Sequence, residues 1–310
     1  MKNIFLPLLL AILVLLVGCQ TPSAPAIIPA AQMSITLTDD LGRIISLDQS
    51  ARRIVSLSPP LTEILFALGA SSQVVGRDTF SDYPQEVTSL PDVGGSFGKY
   101  SEETILSLQP DLILAGEINT PELVTSLENL GLTVYYLKNP INLEGMFFAL
   151  QTVGVLSGKE TAADQLVGSL QARAESLQSK LANISTRPTV FYELDASDPA
   201  KPYTPGKSTF YTSLIHLAGG ENFGASLDAD WAQISLEQLL MADPQFILLG
   251  DSVWGVTPQS VAERAGWQSL TAIREERVLP FDDNLLVRFG PRWLDGLEAL
   301  ARILHPEAFQ

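Results

Sequence analysis

Apolar residues along this chain fall into two kinds of spacing, which take turns. A short run at 53–57 (RIVSL) has the length and β-branched content of a buried strand. Ser58-Pro59-Pro60 ends it, and apolar positions then fall at helical spacing over 61–68 as far as Gly69, a usual helix stop. Strands are expected at 73–76, 111–115 (DLILA) and 133–137 (TVYYL), and helices at 102–108 and 121–129, the second stopped by Gly131. From 142 to 182 the spacing is helical throughout: 142–156 and 159–181 have only Ser157-Gly158 between them, and Leu166, Leu170, Leu177 and Leu181 stripe the second. The alternation then resumes, with strands expected at 189–194, 246–249 and 278–281 and helices at 208–218 and 292–304. Apolar strands that alternate with helices make parallel sheets with helices on their faces. The expected fold is α/β, two α/β lobes with mainly parallel sheets joined by one long helix. The expected boundaries are an N-terminal lobe at 34–141, a helical connector at 142–187 and a C-terminal lobe at 188–310.

An internal repeat supports two lobes. Residues 101–116 (SEETILSLQPDLILAG) align without a gap on 235–250 (SLEQLLMADPQFILLG), and Ser, Glu, Leu, Pro, Ile, Leu and Gly coincide. Each copy reads as a helix N-cap, a helix, a Pro-marked turn and a buried strand. Ser235 with Gln238 fits a capping box, whereas Ser101 has Thr104 in that place and does not. The matched acids Glu103 and Glu237 go beyond what capping needs, because a first-turn carboxylate helps the helix dipole without being required by it.

The first strand-like alternation starts near Ile35, and what precedes it is of another kind. Lys2 and the apolar run 4–17 match the positive and apolar regions of a secretory signal, and the run is short for a membrane span. Leu16-Val17-Gly18-Cys19 resembles the lipobox of bacterial lipoproteins, in which the cysteine is acylated and becomes the new N-terminus. Cys19 is the only cysteine, so it has no disulfide partner within the chain. The expectation is a signal peptide at 1–18 and a lipidated, Pro- and Ala-rich tether at 19–33. The protein would then be exported and lipid-anchored at the outer face of the cytoplasmic membrane, or at the periplasmic side of an envelope membrane. A formal charge of −16 argues against nucleic acid as a partner.

Several stretches, spread over nearly the whole of 34–310, resemble one family. They are RIVSLSPPLTEILFALG (53–69), SDYP (81–84), LPDVGGSFGKYSEETILSLQPDLILAG (90–116), YTPGKSTFYTSLIHLAGGENF (203–223), DWAQISLEQLL (230–240) and GPRWLDGLEALARIL (290–304). In that order they are similar to the cobalamin, ferric-siderophore and haem branch of ABC-importer substrate-binding proteins. The resemblance implies a rigid long helix between the lobes, a ligand in the cleft between them, and a monomer when free. It implies capture of a small molecule and its delivery to an ABC permease dimer and its ATPase. Glu103 and Glu237 take the positions where the family's lobes contact arginines of the permease. By motif position the ligand-binding residues are Ser58, Pro59, Pro60, Tyr83, Phe97, Tyr203, Trp231 and Arg288. The aromatics among them offer flat faces to a macrocycle, and Arg288 could pair with a ligand carboxylate or phosphate. The implied ligand is a corrinoid, with a ferric siderophore or haem as the alternatives. Phe97 stands where cobalamin binders often carry tryptophan, and Asn284 where an aspartate lies.

No cofactor is expected besides the ligand. The two histidines, His216 in an apolar helical stretch and His305 after the last helix, are too few for the zinc and manganese binders of the same superfamily. There is no nucleophile elbow, phosphate-cradling loop or metal-spaced histidine pair, so the chain is not expected to be an enzyme. The other alternative, a scaffold lipoprotein without a transport role, would need neither a cleft nor paired glutamates.

Overall fold

In the computed structural model, which describes residues 34–95 and 98–310, the chain opens with an antiparallel hairpin of β1 (Ile35–Thr38) and β2 (Ile44–Leu47). The expected signal peptide and tether, Cys19 with them, and Phe97 lie outside the described residues. The first lobe continues with β3 (Ile54–Ser56), α1 (Pro59–Ala67), β4 (Val74–Arg77), α2 (Glu102–Ser107), β5 (Leu112–Gly116), α3 (Pro121–Asn129) and β6 (Val134–Leu137). Two helices follow, α4 (Leu143–Ser157) and α5 (Glu160–Leu181). The second lobe holds β7 (Thr189–Glu193), β8 (Tyr203–Pro205), α6 (Phe210–Leu217), β9 (Glu221–Asn222), β10 (Trp231–Gln233), α7 (Leu236–Ala242), β11 (Phe246–Leu249), α8 (Pro258–Ala262), α9 (Thr271–Arg274), β12 (Val278–Pro280), α10 (Asn284–Val287) and α11 (Trp293–Leu304).

Each lobe has its own four-stranded, all-parallel sheet, β4-β3-β5-β6 in the first and β12-β11-β7-β9 in the second. Numbered from its own first strand, each sheet has the same order, 2-1-3-4. The expected pair of α/β lobes joined by a long helix is the architecture observed. Strand residues alternate between faces as the two-residue period requires. Val55, Ile113, Ala115, Val134 and Tyr136 pack outward on α2 and α3, while Ile54, Leu112, Leu114, Tyr135 and Leu137 face inward. In the second lobe Phe191, Ile247 and Leu249 take the outer face, and Val190, Tyr192 and Leu248 the inner.

The two inner faces belong to one continuous apolar core. It runs from β3 and β5 through α1, α4 and α5 to α6, α11 and β7. Helix α5 is 22 residues long, about 33 Å at 1.5 Å per residue. It buries Ala163, Val167, Leu170, Ala174 and Leu177, every third or fourth residue, and leaves Leu166 and Leu181 only partly covered. Small residues at Ala163 and Ala174 let neighbouring backbones come close. The sequence pattern expects no strand for β9, which is two residues long and polar and is held at the sheet edge by Glu221 N–H donating to Pro188 O at 2.9 Å. The antiparallel β8–β10 pair and the short helices α8 to α10 are likewise missing from that reading, since three to five residues are too few to show a period.

Candidate ligand-binding cleft

In a 2-1-3-4 parallel sheet the chain leaves the first strand to one side and returns for the third on the other. The loops at the carboxyl ends part there and leave a crevice. In this protein those points are the ends of β3 and β5 in one lobe and of β7 and β11 in the other. A cavity of about 330 Å³ opens between them. Ser58, Pro59, Pro60 and Ile118 line it from the first lobe, and Leu194, Gly250, Trp254 and Arg288 from the second. A second cavity of about 370 Å³ shares Ile118 and Asn139 with the first and extends to Glu117, Phe210, Asp230 and Trp231.

Local sequence explains the crevice walls. Ser58 is extended (φ −149°), and Pro59 and Pro60 occupy the first positions of α1, where a missing N–H costs nothing. Gly116 and Gly250 hold equivalent places in the repeat, the first as the last residue of β5 and the second directly after β11. A Cβ on Gly116 would stand 2.9 Å from Ser58 Oγ, and one on Gly250 would stand 2.5 Å from Tyr192 Cε1. Both approaches are possible only for glycine. The repeat also shows in the turn before each third strand. Gln109 (φ 48°) and Asp243 (φ 44°) are left-handed residues at matching positions, each followed by proline, which disfavours the helical conformation in the residue before it.

The cleft is backed by charge on one side. Glu63 of α1 is buried and receives Arg292 Nε at 2.8 Å and Arg288 Nη1 at 3.2 Å, both from the second lobe. Arg288 also bonds Asp82 and reaches Phe80 O at 3.4 Å, and Arg292 lies 4.1 Å from the centre of the Tyr83 ring. Thr62 Oγ1 donates to Ser56 Oγ at 2.8 Å and bonds Ser81, which donates to Asp78, so the loop carrying Asp82 is fixed from below. Burial holds the Asp78 carboxyl above its ordinary value, opposed by the Ser81 and Phe80 hydrogen bonds.

Asp283, at the start of α10, lines the first cavity. Its Oδ1 accepts from Tyr192 Oη at 2.8 Å and from Tyr211 Oη at 2.7 Å, two tyrosines that are fully buried. Burial raises the carboxyl, and the hydroxyls of Tyr211 and Tyr192 pull it back. Burial, then the charge of Asp283, pushes both tyrosine hydroxyls well above their usual range. Around them Phe210 stacks on Tyr211 at 4.5 Å and on Trp293 at 5.4 Å, and Trp231 meets Tyr211 edge-on at 5.9 Å. At the end of β7, buried Glu193 is held bidentately by Arg264 at 2.6 and 2.8 Å. Neighbouring Asp251 is raised to about 7, first by burial and then by the charge of Glu193.

The structure brings Ser58, Pro59, Pro60 and Arg288 together in the first cavity and sets Trp231 at 53% exposure in the second. Tyr203 is exposed on β8 and lines neither cavity, and Tyr83 lines a separate groove beside α5. Phe97 is among the residues left undescribed. Glu103 and Glu237 are both exposed, in the first turns of α2 and α7. Helices in right-handed βαβ units run against the strands, so both first turns lie at the carboxyl edge of their sheets, the edge of the cleft. The capping box of Ser235 with Gln238 is present, and Ser101 caps Thr104 N–H at 3.2 Å. His216 faces Arg187 in a different pocket, and His305 is buried with Nε2 3.1 Å from Gly219 O. The sequence reading leaves out Trp254, 85% exposed over the first cavity, and takes Asp283, with Asp282, as a solvated loop acid. Trp254 was within reach: it follows the third strand of the second sheet, the counterpart of the loop after β5.

Residues 54–285 match the model of a family described as periplasmic binding protein. The uncharacterized ABC transporter substrate-binding lipoprotein YvrC of Bacillus subtilis is 31% identical, with 99% of this chain and 98% of that protein covered. The chain belongs to this family. Two solved members are similar to it at 27% identity, and both cover 84% of this chain. The periplasmic vitamin B12 binding protein of Vibrio cholerae has a TM-score of 0.70 with 98% of its chain covered. The periplasmic heme-binding protein of Roseiflexus sp. RS-1, in apo form, has 0.74 with 100% covered. As a periplasmic binding protein this chain is the substrate-binding component of an ABC transporter of the cobalamin, siderophore and haem type. Its partners are a small-molecule ligand and a permease with its ATPase. Members of the family are binding proteins rather than enzymes. Among the described residues no helix is long and apolar enough to cross a membrane.

Proposed function

We propose that this periplasmic binding protein captures a corrinoid in the cleft between its lobes and presents it to an ABC permease from the outer side of the membrane. The observation that carries the reading is the wall of the cleft. Trp254, Val253, Ile118, Phe80 and Val287 are large apolar side chains held in solvent around one cavity, and Trp231 edges the next. Exposed apolar groups gathered around a concavity mark a binding surface, and flat aromatic faces suit a macrocycle. The vitamin B12-binding relative supports a corrinoid. The heme-binding neighbour, at the same identity, favours haem as the second reading.

Ser58, Pro59, Pro60, Arg288 and Trp231 form the ligand-facing set. Glu103 and Glu237, one on each lobe, dock on basic sites of the permease, and such pairs set register and encounter more than affinity. Cys19 carries the lipid, and the segment after it is the tether. The test is a visible spectrum of the purified chain, titrated with cyanocobalamin and with haem. A saturable shift of the corrinoid bands supports the reading. Saturation by haem with no response to cobalamin refutes it in favour of the second reading.

A further inference from the structure

We propose that Asp283 is a specificity-determining residue, a fixed acceptor that selects ligands rimmed with neutral N–H donors and rejects those rimmed with carboxylates. This rests on the reading of the cleft as a corrinoid site and deepens it, because corrinoids that carry side-chain amides present such donors.

Four observations lead there. Tyr192 and Tyr211 both donate to Oδ1 of Asp283, which fixes the plane of the carboxyl group. Both tyrosines are cut off from water, so their hydroxyls depend on this acceptor, and losing it would leave two buried donors unpaired. The second oxygen, Oδ2, has no hydrogen-bond partner among the described residues, and the residue borders the first cavity. The other acids in the cleft walls add to its negative charge. Glu117 and Asp230 line the adjoining cavity, and the one guanidinium in the lining, Arg288, is already committed to Glu63 and Asp82.

A ligand carboxylate entering here meets acids and, among the described residues of the lining, no free cation. An amide N–H meets an oriented acceptor. Sites built around a buried polar group discriminate strongly, because the wrong partner leaves that group unpaired or opposed. Arg288, which the sequence offered as an anion partner, is in this arrangement part of the frame.

The test compares two corrinoids with the same ring and no nucleotide loop: dicyanocobinamide, with amides on its rim, and dicyanocobyrinic acid, with free carboxylates in their place. Binding of each to the full-length protein in detergent is followed by absorbance for the wild type, Asp283→Asn and Tyr211→Phe. Asparagine keeps an Oδ1 acceptor for both tyrosines, and melting curves confirm the fold. The wild type is expected to prefer the amide-rimmed ring. Asp283→Asn should cut that preference about tenfold or more, the scale of a hydrogen bond to a charged group. Tyr211→Phe, which frees the carboxyl to turn, should cut it by less. An unchanged preference in a folded Asp283→Asn protein overturns the selector role and leaves the corrinoid reading standing. A wild type that prefers the carboxylate-rimmed ring overturns the selector role and likewise leaves the corrinoid reading standing, whereas one that binds neither corrinoid, or that prefers haem, overturns both.

Discussion

Glu63 tests whether the ion cluster behind the cleft holds the lobes together. Its side chain is 4% exposed and takes hydrogen bonds from Arg292 Nε and Nη2 and from Arg288 Nη1, across the lobe boundary. In Glu63→Gln the charge goes and the shape stays. Arg288 keeps Asp82, whose side chain is 64% exposed, and Arg292 keeps only the face of Tyr83. Removing one partner of a buried pair costs about 3–5 kcal/mol, because the other charge is left without compensation. Glutamine still offers an acceptor oxygen, and the arginine side chains retain 12–14% exposure, which brings the expectation to about 2–3 kcal/mol. For a domain of this size that lowers the melting midpoint by about 4–6 °C. Calorimetry at pH 7 of the wild type, Glu63→Gln, Arg292→Met and the double variant measures it. The double variant should recover part of the loss, with a coupling of about 1–2 kcal/mol. A shift below about 1 °C, or strict additivity, would show that the shared apolar core alone carries the lobe contact.

Two further outcomes follow from charge placement. Asp251 is held at about 7 in the folded protein against an ordinary 3.8, so over that range the native state keeps a proton the unfolded chain has released. Asp251's own contribution to stability is therefore greatest below about pH 4, falls as pH rises towards about 7 and stays lower above it, and Asp251→Asn should remove that downward slope from a melting-temperature profile between about pH 4 and 7. A slope unchanged by the substitution would assign it to other acids. Reversing both Glu103 and Glu237 to lysine should abolish uptake by whole cells and leave ligand affinity within about twofold, as expected of exposed docking charges. Uptake that survives would remove them from the docking role.

The parts of the fold that were legible in the sequence are those in which burial writes a period. DLILA and TVYYL read as buried strands and are β5 and β6, and the leucine stripe at 166–181 reads as the long helix and is α5. The illegible parts are short or polar. Nothing in Glu221–Asn222 marks a strand, because its place is fixed by the edge of β7 rather than by its own side chains. The site shows the same division. Ser58-Pro59-Pro60 carries its own backbone signal. Asp283 gives none, since its importance comes from Tyr192 and Tyr211, which are remote in sequence and converge only after the second sheet has formed. Tyr83 reads as a flat face for a ligand, and Arg292 stacks on one face of its ring, a contact that no local pattern encodes.

The repeated unit ties capture to presentation. Each copy begins with a capped helix whose second residue is an exposed glutamate and finishes with a strand and a glycine at the crevice, Gly116 as the last residue of β5 and Gly250 directly after β11. A helix that returns antiparallel to its strand puts its first turn at the strand's carboxyl end. The same stretch of chain therefore sets an acid on the rim and opens the crevice below it, in both lobes, through one topology. If the glutamates dock on the permease, the cleft faces the membrane channel without any further element to aim it. Moving either acid by one turn, for example Glu103→Gln with Ser107→Glu, keeps the charge and breaks the alignment. Transport should then fall while binding stays, and equal transport would mean that net charge, and not position, guides docking.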